Sequence, residues 1–521
     1  MPARVATAAE SAECERRTIQ GGTSAAELMH RAGAAAASEI LRRTRGVESA
    51  AVVTGAGNNG GDGWIVAGQL AAKGVTVRVV ESAAPKTPEA ESARVSSLGS
   101  AAASRISVSD VLSDESVVVD ALLGTGSKGA PHGRISELVT AINDAAANGA
   151  TVFALDLPTG VDADSGVTQE AVGATHTLSF GLMKRGALLA RDCCGSIAVL
   201  DIGLTDDGTS FLPLLIDATW AHARVPPIRF DAHKGTRGRV VVVGGGEDMA
   251  GAAILVGMGA LRTGAGLVHL VVHRSTVEAT HAGLPEAIVS KWPKDAGTLA
   301  PILDGANAIV LGPGLGKGAD ARDLVERVLL SSSVPTVVDA DALNAFSGDA
   351  ASLASLLRGH QAVMTPHPAE LGRVIGMGTS SVAAERFDVG AGLAGETAAA
   401  LLLKGTPTVV FAPDGTRYVS AAGTAALATG GSGDVLSGIV ATLLAHTLLY
   451  ARRKRPDFTL DQRSVAETAA AAAFFHGRAA ELCGAVRGTT LSDILRALHD
   501  AWNETPPRDE AGVLVRLPHV P

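Results

Sequence analysis

Ala51-Val-Val-Thr-Gly55-Ala-Gly57-Asn58-Asn59-Gly60-Gly61-Asp62-Gly63-Trp64 is the stretch on which the reading of the fold turns. A short apolar strand, residues 51–53, runs into a glycine-rich loop, and a helical pattern over 64–72 follows it. Gly55, Gly57 and Gly60 fit G-x-G-x-x-G in the strand–loop–helix setting where backbone N–H groups receive a phosphate. Further strands are predicted at 75–80, 117–120 and 151–156, separated by amphipathic stretches. That alternation is the pattern of β-α units around a parallel sheet. Ser24-x-x-Glu27, ahead of Leu28 and Met29, is a capping box that opens an earlier helix. Glu81 ends a strand where a ribose-binding acid sits in dinucleotide folds, so an NAD dehydrogenase is one reading.

That reading leaves a polar excess unexplained. A phosphate cradle does not need the two amides and the carboxylate of Asn58, Asn59 and Asp62. Asp120 closes a Val-Val-Val run and leads into Ala121-Leu-Leu-Gly124-Thr125-Gly126-Ser127-Lys128-Gly129. Asp156 closes Thr151-Val-Phe-Ala-Leu and leads into Leu-Pro158-Thr159-Gly160. Parallel strands share one C-terminal edge, where open α/β proteins bind ligands. An Asn carbonyl, a carboxylate and a Thr hydroxyl gathered there can cage a hard cation. The plainer alternative has each Asp capping its own turn.

Residues 217–233, with Pro226-Pro227, mixed charge and no apolar periodicity, read as a linker. Beyond them strands are predicted at 240–243, 267–272, 308–311, 336–338, 362–364 and 408–411, and a helix at 465–482. Ala428-Thr-Gly430-Gly431-Ser432-Gly433-Asp434-Val-Leu-Ser-Gly438 places glycines just before an apolar helical run. Free N–H groups in such a turn stabilise a transferring phosphoryl group, and Asp434 can take a proton from a hydroxyl acceptor. The bland alternative is a glycine turn with an Asp cap. No G-x-x-x-x-G-K-[ST] occurs, so a P-loop mechanism has no support.

Composition narrows the class. The 521 residues are 46 % hydrophobic but only 3 % aromatic, so Ala, Gly and Val carry the packing. A net charge of −9 argues against a nucleic-acid footprint. Cys14, Cys193, Cys194 and Cys483 are too few for a disulfide scaffold, and the adjacent pair lacks zinc-ligand spacing, so reduced thiols are expected. The N-terminal residues lack the apolar core of a signal peptide, and residues 439–451, interrupted by Thr442, His446 and Thr447, read as a buried helix. A cytoplasmic enzyme without a membrane partner is the expectation, with a poorly ordered tail around residues 503–512.

At these motifs a family resemblance becomes specific. GAGNNGGDG, VDALLGTG and LDLPTGVDADSG, with the leader LMHRAG, resemble the NAD(P)H-hydrate epimerase domain over most of residues 1–215. His233-Lys-Gly235, Val243-Gly-Gly-Gly246 with Gly251-Ala-Ala253, Leu311-Gly-Pro-Gly314-Leu-Gly316, Val338-Asp339-Ala-Asp341-Ala-Leu-Asn344, Thr365-Pro-His367-Pro-Ala-Glu370 and Leu403-Lys404-Gly405 precede Asp434. In that order they resemble the ribokinase-like ADP/ATP-dependent NAD(P)H-hydrate dehydratases over residues 228–500. The resemblance implies two three-layer α/β/α domains: Rossmann-like over 1–217, a linker at 218–232, ribokinase-like over 233–505, and a tail at 506–521.

By the same resemblance, Asn58, Asn59, Gly60, Gly61 and Asp62 contact the hydrated dinucleotide, as do Gly124, Thr125, Gly126, Ser127, Lys128, Gly129 and Ala130. Asn59, Asp120 and Thr159 would ligate K+, and Asp156 would be the acid–base group that interconverts the R and S forms at C6. In the second domain Ala253, Gly314, His367 and the catalytic Asp434 would contact the (6S)-hydrate. Lys404, Gly405, Thr406, Pro407, Thr408 and Gly433 would hold ADP or ATP, with AMP and phosphate as products from ADP. Mg2+ is implied as cofactor, with Asp339 and Asp341 as organisers or as strand-end caps, and a homo-oligomer is implied as the assembly. Two departures stand out: Gly423-Thr-Ala-Ala-Leu427 replaces an Asn-Pro-Gly stretch, and Met249-Ala250 replaces an aromatic before Gly251. Rival readings are a ribokinase-type kinase of a vitamin-precursor alcohol, releasing a stable phosphorylated product, and a non-catalytic scaffold role for the first domain.

Overall fold

The computed structural model describes residues 3–205, 211–293, 295–506 and 512–520. Among these, residues 3–215 and 512–520 form one compact unit and residues 216–506 form the other.

In the first unit, strand residues alternate between two separate cores. From Ser49–Thr54, Ala50 and Val52 pack with Trp64, Val66 and Ala67, while Ala51 and Val53 pack with Leu138, Val139 and Ile142. Helices therefore cover both faces, which is why these strands read as continuous apolar runs. The strand order is Val513–Leu517, Ser196–Leu200, His176–Phe180, Thr151–Leu155, Val117–Ala121, Ser49–Thr54, Thr76–Glu81, Ile106–Ser109. All neighbours are parallel except the first pair. The order reverses at Ser49–Thr54, so the loops after it open a crevice at the C-terminal edge.

Several expectations need correction. The glycine stretch is less loop and more helix: the helix runs Asn58–Ala72 with Gly57 as its N-cap, so Asn58, Asn59 and Asp62 sit on its first turns. Ser24 caps Ala25–Arg43 as expected, but another helix, Ala8–Gln20, precedes it behind a Thr7/Glu10 capping box. Residues 218–232 are not all linker. Asp217 caps the helix Ala218–His222, Trp220 stacks against Tyr418 with centroids 5.4 Å apart, and His222 meets Phe475 edge-on at 4.9 Å. Nor are residues 506–521 simply a tail. Val513–Leu517 covers the exposed edge of Ser196–Leu200, where unpaired N–H and C=O groups gain partners. The expected disorder at 503–512 falls partly on residues 507–511, outside the described residues.

In the second unit the order is Arg417–Ser420, Thr408–Phe411, Ala400–Leu403, Ala362–Met364, Thr336–Val338, Ala308–Leu311, Arg239–Val243, Leu267–Val272, Ile288–Lys291. The pairs Arg417–Ser420 with Thr408–Phe411, and Thr408–Phe411 with Ala400–Leu403, are antiparallel; the rest are parallel. Two helices, Ala250–Thr263 and Ser432–Arg452, meet backbone to backbone. A Cβ on Gly438 would lie 2.1 Å from the Val256 carbonyl oxygen, and one on Gly259 2.4 Å from that of Val435. Ser432–Arg452 is long and apolar enough to cross a membrane, but 72 % of its apolar window is buried in the fold, as expected for 439–451. All four cysteines are free.

Glu39, 4 % exposed, accepts hydrogen bonds from Arg42, Arg43 and Arg516, tying Val513–Leu517 to the helix Ala25–Arg43. Glu39→Ala leaves three guanidinium groups without their shared carboxylate. Urea unfolding is expected to show a loss of about 3 kcal/mol in the first unit, with faster amide exchange along Ser196–Leu200.

Candidate functional site

Each unit carries a cavity at the C-terminal edge of its parallel strands. The first, about 540 Å3, collects Asn58, Asn59 and Asp62 from the helix N-terminus, Gly124, Thr125, Gly126 and Ser127 from the loop after Val117–Ala121, and Asp156. Glu15, Leu28 and Met29 from the N-terminal helices complete one wall. Gly60 and Gly61 do not line the cavity. A Cβ on Gly60 would stand 1.9 Å from the Gly55 carbonyl oxygen, and one on Gly61 2.7 Å from Met29 Sδ, so both serve close packing. Lys128, Gly129 and Ala130 are exposed, beyond the cavity wall.

Asp156 sits just past its strand at φ 63°, a left-handed conformation that Asp tolerates at some cost. The turn aims its carboxylate back along the sheet edge. Oδ1 accepts the Phe180 N–H at 3.0 Å and pairs with Lys184 Nζ, which also donates to the Phe180 carbonyl at 3.0 Å. Lys184 is 1 % exposed. Burial, then the carboxylates of Asp156 and Glu15, push Asp62 well above the usual carboxylate range, against the pull of Lys184. Burial also raises Glu15. Lys184 and Glu15 escaped the motif reading; the one available signal was a lysine closing the apolar run Phe180-Gly-Leu-Met183.

Asp120 and Thr159 come together, and the Leu123 backbone links Asn59 to Thr159. Asp120 Oδ1 accepts the Thr159 hydroxyl at 2.8 Å and the Leu122 N–H at 3.2 Å, while Oδ2 accepts the Thr159 N–H at 2.8 Å. Asn59 Nδ2 donates to the Leu123 carbonyl at 3.0 Å, which leaves Asn59 Oδ1 buried without a donor. Burial pushes Asp120 up to about 6, opposed by the Thr159 and Leu122 donors. Turn capping and an oxygen cluster therefore coexist at this point.

The second cavity, about 660 Å3, is lined by His367, Lys404, Gly405, Thr406, Pro407, Thr408, Gly433 and Asp434, and by much of residues 421–432. Gly431, at φ 92°, caps the helix Ser432–Arg452, whose first turn carries Asp434, and residues 430–434 line the cavity. Lys404 Nζ donates to Asp339 Oδ1 at 2.8 Å and lies 3.7 Å from Glu370 Oε2. Asp339, 1 % exposed, is also held by Ser437 Oγ at 2.7 Å. A Cβ on Gly433 would come within 3.2 Å of Lys404 Nζ, so the lysine lies over the helix N-terminus. Burial first, then the Asp339 carboxylate, push Asp434 up to about 7, while Lys404 pulls it down.

His367 has a double role. Its Nδ1 accepts the Ala369 N–H at 3.1 Å while Glu370 Oε2 accepts the His367 N–H at 2.8 Å, a reciprocal cap on Pro368–Ile375. Ala253 and Gly314 stand apart from the cavity. Ala253 is fully buried, its Cβ positioned against Gly245, and the Gly314 carbonyl accepts the Gly246 N–H at 2.6 Å. Both are packed into the junction beyond Arg239–Val243, so the expected direct contact through Ala253 is not available in this conformation. Asp341 behaves as a cap, accepting the Gly316 N–H at 2.8 Å and the Asn344 amide at 3.1 Å. His476, on Gln462–Leu482, lines the cavity and was missed by the motif reading.

Two parallel α/β units, each with an acidic residue on a glycine-led helix at the mouth of a dinucleotide-sized cavity, define an enzyme class built for nucleotides. Comparison with known proteins narrows it. Residues 25–186 match the family described as YjeF-related protein N-terminus, and residues 240–499 the NAD(P)H-hydrate dehydratase family. The chain is 34 % identical over 498 residues to a bifunctional NAD(P)H-hydrate repair enzyme of Coxiella burnetii, covering 92 % of this chain and 96 % of that protein. It is 34 % identical over 491 residues to one from Escherichia coli K12, covering 92 % and 89 %. An ADP/ATP-dependent NAD(P)H-hydrate dehydratase from Bacillus subtilis, co-crystallised with ATP/Mg2+, matches at 25 % identity and TM-score 0.46 over 55 % of this chain and 96 % of that one. The chain belongs to the family of bifunctional NAD(P)H-hydrate repair enzymes.

Because Lys404 favours the ionised form of Asp434, Lys404→Met is expected to raise the Asp434 midpoint above its starting value of about 7. The carboxyl carbon shift, followed by NMR across a pH titration, checks this.

Proposed function

We propose that the first unit epimerises the R and S hydrates of NAD(P)H and that the second dehydrates the (6S) form at the expense of ADP, giving NAD(P)H, AMP and phosphate. The observation that carries this reading is Asp434, placed beside Lys404 at the N-terminus of Ser432–Arg452 and pushed up to about 7. A carboxyl poised there can accept a proton from a substrate hydroxyl near neutral pH. The C6 hydroxyl is a poor leaving group, and phosphorylation makes it a good one. As Asp434 takes the hydroxyl proton, the oxygen attacks the terminal phosphoryl group. Backbone N–H groups of the glycine turn and the Lys404 ammonium, which lies over it, would meet the charge that develops on its oxygens. The ring nitrogen then expels phosphate from C6 to leave an iminium, and loss of the C5 proton restores the dihydropyridine.

Mg2+ does not fit a protein cage at Asp339 and Asp341. Both oxygens of each already accept protein donors, so the nucleotide phosphates are the better ligands. In the first unit, Asp156, fixed by Lys184 and the Phe180 N–H, serves as the acid–base group at C6. K+ would be held at Asn59, whose Oδ1, unlike the oxygens of Asp339 and Asp341, is buried without a donor, with Asp120 and Thr159, linked to Asn59 through the Leu123 backbone, as its further oxygens. When bound, it would supply positive charge at the edge of the substrate cavity. Joining the two activities suits the chemistry: a dehydratase specific for one epimer strands the other unless something interconverts them.

The test supplies mixed hydrates with Mg2+ and ADP, or ATP in a parallel arm, and follows the return of NADH absorbance. Asp434→Asn is expected to lower recovery of both epimers by at least about a hundredfold; full activity would sink the dehydratase assignment. Asp156→Asn is expected to spare the S form and slow the R form. Exchange of K+ for Li+ should do the same, more mildly. Since the base form of Asp434 is lost on protonation, kcat/KM for the S hydrate should fall as pH drops through about 7.

A further inference from the structure

One polar side chain in the wall of the second cavity has no part in the chemistry above. His476 is 5 % exposed, and its Nε2 is buried without a hydrogen-bond partner. An unpaired buried polar atom costs free energy that a ligand can recover on binding. Burial, with Lys404 adding to it, lowers the ring to about 4, so it is neutral at working pH. A neutral imidazole offers one N–H or one lone pair at Nε2. That suits the edge of an uncharged heterocycle better than a phosphate, for which Lys404 is already at hand.

The surroundings point the same way. Gly477 presses its helix against the cavity rim, since a Cβ there would come 2.3 Å from the Ala422 carbonyl oxygen. Glu481 Oε1 accepts the Gly423 N–H at 2.9 Å, fixing the same rim from one turn further along. Ala421, Ala422, Ala425 and Ala473 line this part of the cavity, a small apolar wall with room for a flat ring. Asp339, Glu370, Lys404 and Asp434 supply the charged part of the same lining, with Lys404 near enough to His476 to add to its shift.

We propose that the His476 imidazole hydrogen-bonds to the purine base of the adenine nucleotide in the second unit. The proposal rests on the nucleotide reading above and goes beyond it by naming the group that meets the base. The full-length protein and its His476→Phe and His476→Gln variants are compared in three measurements: calorimetric binding of AMP, thermal unfolding without nucleotide, and KM for the S hydrate. Phe is expected to weaken AMP binding about tenfold or more and to leave KM for the hydrate unchanged. It should keep or raise the unfolding temperature, because it removes an unpaired polar atom. Gln, whose amide can still reach the base, should recover most of the AMP affinity at normal stability. AMP affinity within twofold of wild type in the Phe variant overturns the proposal, as does a shift in hydrate KM in place of AMP affinity. A wild-type protein that binds no AMP overturns the nucleotide reading itself, which is a separate result.

Discussion

The backbone contact between Ala250–Thr263 and Ser432–Arg452 governs the second unit. Gly259 and Gly438 let each helix rest on the other's carbonyl oxygens, 2.4 and 2.1 Å from where a Cβ would be. Any side chain at either position would force the helices apart. The N-terminus of Ser432–Arg452, and Asp434 with it, would then shift in the wall of the cavity. The same economy governs the first unit, where Gly60 seats its helix on the Gly55 carbonyl. A chain with so few aromatic residues gains its packing density from such close approaches rather than from large side chains.

Charge is arranged alike in the two sites. Each holds one well-buried lysine bonded to one carboxylate, Lys184 with Asp156 and Lys404 with Asp339. Each also holds further carboxylates, Asp62 and Glu15 in one, and Asp434 and Glu370 in the other, the last 3.7 Å from the same lysine. Burying more negative than positive charge drives proton affinity up on the unpaired members, as it does for Asp62 and Asp434. Burial of excess negative charge thus makes these carboxylates hold their protons more tightly than exposed ones, at a cost in stability.

What was legible in the chain was the local chemistry. Asp434 and its glycines could be read because strand, turn and helix N-terminus are consecutive in sequence, and Asp120, Asp156 and Thr159 because they mark strand ends. The six strands predicted after residue 233 all appear, five with the same bounds and Arg239–Val243 one residue longer. Lys184, Glu15 and His476 were not legible, since each owes its role to burial against residues far away in sequence. For Gly60 and Gly61 the motif could not show the packing that also demands glycine, since the nearby Gly55 carbonyl and Met29 sulfur appear only in the folded chain. Val513–Leu517 escaped because its hydrogen bonds come from Ser196–Leu200, more than 300 residues earlier.

That last strand has a consequence for how the protein is made. Translation delivers Ser196–Leu200 long before Val513–Leu517, so the first unit spends the synthesis of the entire second unit with one sheet edge bare. An open edge recruits other strands, and nascent chains on neighbouring ribosomes supply them. The two activities are therefore joined by more than a shared substrate. A gene cut after residue 215 would yield a first unit lacking a strand, and any evolutionary separation of the halves would need a new way to cover that edge.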